Sequence, residues 1–216
     1  MDWNEISNNW REVLSAVSDG GGEASELTIE QPCTPKEVAE IEASLGSEIP
    51  ISFKETLIQF SRRVEFRWSL STDFGLSSAV DEATSGELCW SCDEIVSINK
   101  SREEWAKMIA PNPIGSYDLI WHNKFAFQSI GNGDFLAIDT SSTSSQPVVY
   151  LSHDDGHGHG FLLGSDFQDF LRRWSYIGCS GGEYWKWLPF VHDPDSFVDP
   201  KCENARIWRE ALGLKA

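Results

Sequence analysis

The amino-acid sequence predicts an α+β fold: a largely antiparallel twisted sheet with N-terminal helices and a C-terminal helix packed against it. Three observations lead there. Apolar residues recur at helical spacing through the first sixty positions. Period-two alternation takes over at Val64. Later apolar runs are short and separated by turn residues, which favours antiparallel pairing between sequence neighbours.

Trp3, Ile6, Trp10, Val13, Leu14 and Val17 place an amphipathic helix over residues 3 to 18. Asp19-Gly20-Gly21-Gly22 closes it, as a flexible hinge or a sharp turn. Thr34-Pro35-Lys36-Glu37 then supplies an N-cap, a proline at the first helical position and a glutamate that reaches back to the cap. Val38, Ile41 and Leu45 form the buried face of that helix, and Gly46 stops it. Pro50 opens another helix carrying Phe53, Leu57, Ile58 and Phe60. Val64, Phe66, Trp68 and Leu70 alternate with Glu65, Arg67 and Ser69, the pattern of a half-buried strand. Residues 87–98 and 119–130 have strand-like content, with a short helix over 101–109 that Asn112-Pro113 breaks. Residues 135–139 and 148–151 are apolar strands separated by a Ser/Thr run. Ser165 and Gln168 form a second capping-box pattern before Phe167, Phe170, Leu171 and Trp174, so this helix lays an aromatic face on the sheet. Trp3, Trp10 and Trp174 are core residues on this reading. No repeat or long linker divides the chain, so residues 1–216 read as a single domain. Its core spans about 34–190, with an N-terminal helix and glycine hinge over 1–22 and a helix-bearing tail over 191–216.

Composition bounds the function. With 216 residues, 40% of them apolar, the chain can bury a core without covalent staples. Five scattered cysteines, an odd number, and the acidic opening Met1-Asp2-Trp3-Asn4-Glu5 point to a reducing cytoplasm. No apolar run reaches the ~18 residues that span a bilayer. The net charge of −17, from 34 acidic and 17 basic residues, repels nucleic acid and anionic lipid and speeds encounter with basic partners.

Several constellations invite chemistry. His153, Asp154, Asp155, His157 and His159 offer imidazole and carboxylate ligands for a divalent metal, but from a glycine-rich turn rather than a rigid element. Cys89-Trp90-Ser91-Cys92 has zinc or redox spacing without a second half, and in a strand its two thiols point to opposite faces. Gly131-Asn132-Gly133 reads as a hairpin turn with positive backbone angles, since no lysine or helix follows to make a phosphate cradle. No Gly-x-Ser-x-Gly elbow is present. Trp185 and Trp187, two residues apart, lie on opposite strand faces or about 200° apart on a helix, so one of them is partly exposed. Together with Asp154, Asp155 and the acidic residues Asp193, Asp195 and Asp199, they mark the expected partner surface.

Three blocks carry a family resemblance: Leu45-Gly46 through Ile49-Pro50 and Phe53 to Phe60; Gly131-Asn132-Gly133-Asp134 through Asp139; and Val149-Tyr150-Leu151-Ser152-His153-Asp154 leading to Leu163-Gly164 and Phe167 to Trp174. In this order the chain resembles the SUKH superfamily over roughly residues 34 to 190. That superfamily includes fungal regulators of the Smi/Knr type and many bacterial immunity proteins that neutralise toxins. The closing segments Glu183 to Phe190 and Glu203 to Glu210 are similar to bacterial members with a longer tail. One departure is Ser61-Arg62-Arg63, which stands where an Asn-Gly pair often follows the proline-containing helix.

The resemblance implies a non-enzymatic intracellular protein-binding domain without cofactors. The concrete expectation is an immunity protein whose acidic face covers the basic surface of a cognate toxin domain, for instance a nuclease. The alternative is a regulatory or scaffolding module for endogenous proteins. A weaker one is a metal-dependent hydrolase using His153, His157 and His159. Oligomeric state has no signature in the sequence.

Overall fold

In the computed structural model, which describes residues 1–112, 114–154 and 156–215, the first helices form where spacing and caps dictate. Asp2 caps α1 (Trp3–Asp19) by accepting from the N–H groups of Asn4 and Glu5. Gly20-Gly21-Gly22 makes a sharp turn: Gly21 has φ +78°, and a Cβ on Gly22 would lie 2.5 Å from the Ser69 carbonyl oxygen. Helix α2 (Pro35–Leu45) carries the full Thr34/Glu37 capping box and ends at left-handed Gly46, and α3 (Ile51–Gln59) follows.

Strand β3 (Arg63–Ser69) pairs antiparallel with β4 (Ser85–Ser91) on one side and with the short β1 (Glu23–Ala24) and β2 (Thr28–Ile29) on the other. Val64, Phe66 and Trp68 face the core, whereas Glu65 and Arg67 face outward. The middle of the chain departs from the sequence expectation. Strand β4 stops at Ser91, and α4 (Ile95–Ile109) absorbs both the end of the expected strand and the short helix after it. Ile95, Asn99, Arg102 and Ala106 are buried one helical turn apart, a period that the apolar run at 95–98 is too short to reveal. Similarly, α5 (Ser116–Ile120) takes the start of the expected strand over 119–130, leaving β5 (Lys124–Ser129). The helix ends at Ile109, where the sequence placed its end, and Pro113 of the expected breaker lies outside the described residues.

Strands β5, β6 (Phe135–Asp139), β7 (Val148–Leu151) and β8 (Leu162–Gly164) form a second antiparallel sheet in that order. The antiparallel strands are thus shared between two four-stranded sheets, joined by a side chain. At a bulge in β5, Gln128 Oε1 accepts from the Cys89 N–H at 3.0 Å, and Nε2 donates to Glu87 at 3.1 Å.

The second sheet is buried on both faces. Phe125, Phe127, Leu136, Ile138, Val148 and Tyr150 enter the main core. Ala126, Phe135, Ala137, Val149 and Leu151 meet Trp105, Ala106 and Trp121 from the α4–α5 segment. Helix α6 (Phe167–Tyr176) closes the main core, with Phe167 in edge contact with Phe53, Phe127 and Trp90 at centroid distances of 4.6, 4.9 and 5.7 Å. Its cap is shifted by one residue from the expected Ser165/Gln168 pair. Asp166 accepts from the Asp169 N–H, and Asp169 reaches back to the N–H and hydroxyl of Ser165. After α7 (Tyr184–Trp187) and a 3₁₀ turn at Leu188–Phe190, α8 (Glu203–Ala211) sets Trp208 against Trp68.

Replacing Gln128 with Leu leaves the Cys89 N–H without its acceptor, and urea titration should show a loss of about 1–3 kcal/mol. Asp169 adds a pH dependence. Burial pushes its carboxyl up, but bonds from Ser165 and Arg173 outweigh burial and hold it below the usual carboxylate range. A depressed folded value stabilises above the unfolded value of about 3.9. The contribution is lost as pH falls through the folded value. The stability deficit of Asp169→Asn should therefore be full at neutral pH and shrink below about pH 4 in pH-resolved denaturation.

Candidate functional site

The turn between β5 and β6 delivers a carboxylate into the interior. Gly133, with φ +101°, donates its N–H to the Ile130 carbonyl, and the hairpin reversal points Asp134 inward, where it is 1% exposed. Four donors meet it. Tyr150 of β7 donates its hydroxyl to Oδ2 at 2.6 Å, and Asn132 Nδ2 reaches the same oxygen at 2.8 Å. His153 donates both its backbone N–H, at 2.9 Å, and its ring Nδ1–H, at 2.7 Å, to Oδ1. Burial and the adjacent Asp134 carboxylate push the Tyr150 phenol far above its ordinary range, so it stays a donor.

Asp134, His153 and Asp154 bring three potential metal-ligand atoms within 4.8 Å of one another. Their hydrogen bonds argue against that use, because both Asp134 oxygens already accept two bonds each. Asp154 Oδ1 accepts from the Ser152 hydroxyl at 2.6 Å and the Gly156 N–H at 3.2 Å, and the hydroxyl bond lowers its carboxyl pKa. The other expected ligands do not converge. His159 accepts at Nδ1 from the Ser152 N–H and donates at Nε2 to the Tyr117 carbonyl, so both nitrogens are engaged. His157 is exposed and lies edge-on to Tyr184. Hydrogen bonds thus engage Asp134, Asp154, the Nδ1 of His153 and both ring nitrogens of His159.

The cysteine pair also separates. Cys89 lies on the outward face of β4, where Arg67 Nε approaches its sulfur at 3.3 Å, while Cys92 is buried beyond the strand end. Burial raises both thiols, leaving them protonated at neutral pH.

The residues expected to meet a partner divide by exposure. Asp154, Asp193 and Asp195 are exposed, and Asp199 is half-buried and 3.3 Å from His192. Asp155 lies outside the described residues. Trp185 is 38% exposed, but Trp187 is fully buried against Tyr150, Phe161 and Trp174, which removes it from any free surface. The physical reason is the single turn of α7, which sends one indole outward and the other into the core. The exposed members are linked through β8 and α7. The Leu162 N–H donates to the Pro194 carbonyl in the Asp193–Asp195 turn, and Tyr184 touches both His157 and Trp185.

Sequence reasoning missed Asp134, whose role emerges only when the β5–β6 turn and the end of β7 meet around it. It also missed the α4–α5 segment, where Met108, Ile114 and Leu119 are 64%, 92% and 56% exposed. Tyr117 of α5 joins this segment to the His/Asp turn by donating its hydroxyl to the Ser152 carbonyl at 2.8 Å.

The model of the SMI1 / KNR4 family (SUKH-1) matches residues 32–173, or 142 of the 216 residues. The chain belongs to the SMI1 / KNR4 family (SUKH-1). No curated protein matches it. The SUKH match runs from the residues before α2 into α6, so it contains both sheets except β1 and β2, and it contains Asp134, His153 and Asp154. Helix α1, the end of α6, α7 and α8 lie outside it, with Trp185, Asp193, Asp195 and Asp199.

The Asp134 network should behave as structure. Asp134→Ala, which strands the Tyr150 hydroxyl and the His153 N–H, should cost roughly 3 kcal/mol or more by chemical denaturation. A chelator should leave the melting temperature of the unaltered protein unchanged.

Proposed function

We propose that this SUKH protein is a non-enzymatic protein-binding domain, an immunity protein that neutralises a basic toxin domain by covering its substrate-binding surface. The observation that carries this reading is the distribution of charge. Residues 1–60 hold twelve acidic and three basic residues, and none of those carboxylates is buried. Helices α1 to α3 and the turns between them thus project a negative field that steers basic partners and slows encounter with nucleic acid or anionic membrane.

Steering needs an apolar anchor to give specificity. Two exposed features supply one: Trp185, next to Tyr184, which touches His157 of the His/Asp turn, and the Met108, Ile114 and Leu119 side chains on the α4–α5 segment, which Tyr117 joins to that turn. We take the partner face to run across these residues, with Asp199 at its margin. SUKH membership supports a partner-binding role. The filled acceptor sites of Asp134 and the engaged ring nitrogens of His159 support a scaffold for that turn in preference to hydrolase chemistry. Among the described residues no helix is long and apolar enough to cross a membrane.

The test is capture of partners from the native host with the tagged protein at low and at high salt. The expected result is one dominant basic protein, lost as salt rises, whose toxicity is relieved by co-expression. Trp185→Ala and Ile114→Asp should each weaken that complex by about 1–3 kcal/mol while leaving folding intact. Several acidic or salt-insensitive housekeeping partners would replace this reading with a regulatory scaffold.

A further inference from the structure

Beneath the loop after α2 lie two cations whose surroundings the partner reading does not use. Arg102 on α4 is 8% exposed, and Lys124 at the start of β5 is 6% exposed. Lys124 engages two of its three donors: Nζ donates to the His122 carbonyl at 2.9 Å and lies 3.2 Å from Asp139. Arg102 is less well served. Its Nη1 makes one long bond to the Trp121 carbonyl at 3.4 Å, its Nη2 is 3.5 Å from the exposed Glu103 carboxylate, and its Nε has no hydrogen-bond partner. A guanidinium offers five donors, and a buried one rarely leaves most of them unused. The nearby Asn99 does not help, because its side chain is committed to the backbone of Ile95 and Ala126.

Arg102 and Lys124 line the same narrow cavity of about 120 Å³, which Ser47, Phe125 and Thr140 help to enclose. That is well above the roughly 10–15 Å³ one water requires. Glu48 and Glu103 also line it, and both are exposed, so the cavity is cationic within and acidic at its mouth. Burial lowers the pKa of both cations, and a bound anion would offset that cost. Guanidinium pairs with planar oxyanions through parallel N–H bonds. The acidic mouth opposes multiply charged anions more than singly charged ones.

We propose that this cavity is a binding site for a small, singly charged carboxylate, held by Arg102 and Lys124.

The test is titration of the intact protein with sodium acetate against sodium chloride at equal ionic strength, following backbone amide NMR shifts and melting temperature. Acetate should give saturable shifts at Trp121, Ala126 and Arg102 and raise the melting temperature. Inorganic phosphate should bind more weakly. Arg102→Gln should abolish the acetate effect. Because a buried substitution can impair folding, the exposed Glu103→Gln provides a second readout and should tighten acetate roughly two- to fivefold, the scale of one surface charge interaction. Equal responses to acetate and chloride, or an acetate affinity unmoved by Glu103→Gln, would overturn the proposal and leave the cavity as a water site. Neither result depends on whether a toxin partner is found.

Discussion

Burial of the second sheet on both faces is the constraint from which the other arrangements follow. An antiparallel sheet can leave one face wet, as the sheet built on β3 does with Glu65 and Arg67. Strands β6 and β7 cannot, because their side chains are apolar on both sides. One face is met by the aromatic cluster around Phe167, Phe53 and Trp90, the other by Trp105 and Trp121 of the α4–α5 segment. That segment therefore has to lie across the sheet, and its far side presents Met108, Ile114 and Leu119 to solvent. The need to cover a core places an apolar surface outside it.

The same sheet explains why a carboxylate is tolerated inside. A charge moved into a protein interior is costly unless hydrogen bonds replace its hydration. Asp134 receives four, one from Asn132 of its own turn, one from Tyr150 of β7 and two from His153 just beyond that strand. These bonds fix the hairpin to the start of the His/Asp turn, so the exposed carboxylate of Asp154 stands on a hydrogen-bonded base. Rigid presentation lowers the ordering cost of binding, which suits a domain that recognises another protein. The same bonds occupy the acceptor sites of Asp134.

SUKH membership and the charge pattern act at different ranges. The shared scaffold covers residues 32–173, while residues 1–31, with seven acidic residues and one basic, and the tail with Trp185, Asp193 and Asp195 lie outside the match. Elements added to a common core can alter long-range steering and local contact without disturbing the packing that holds the sheets together.

Local rules made much of this legible in advance. Helix α1, the Thr34 capping box, Gly46, the alternation along β3, the Gly133 turn and the aromatic face of α6 each depend on residues within a few positions of one another, and each stands where the sequence placed it. The family resemblance rested on blocks of this kind. What tertiary structure alone decided involves partners far apart in sequence. The helix at Ile95–Ile109 won over a strand because a bare apolar face of the second sheet needed cover. Trp187 was buried and Trp185 left exposed because of what packs beside α7. Asp134 found Tyr150 and His153, and Arg102 came to share a cavity with Lys124, through contacts that no spacing rule encodes. Backbone preference and periodicity are short-range properties that a sequence displays directly, whereas burial and charge environment are set by whatever the fold brings alongside.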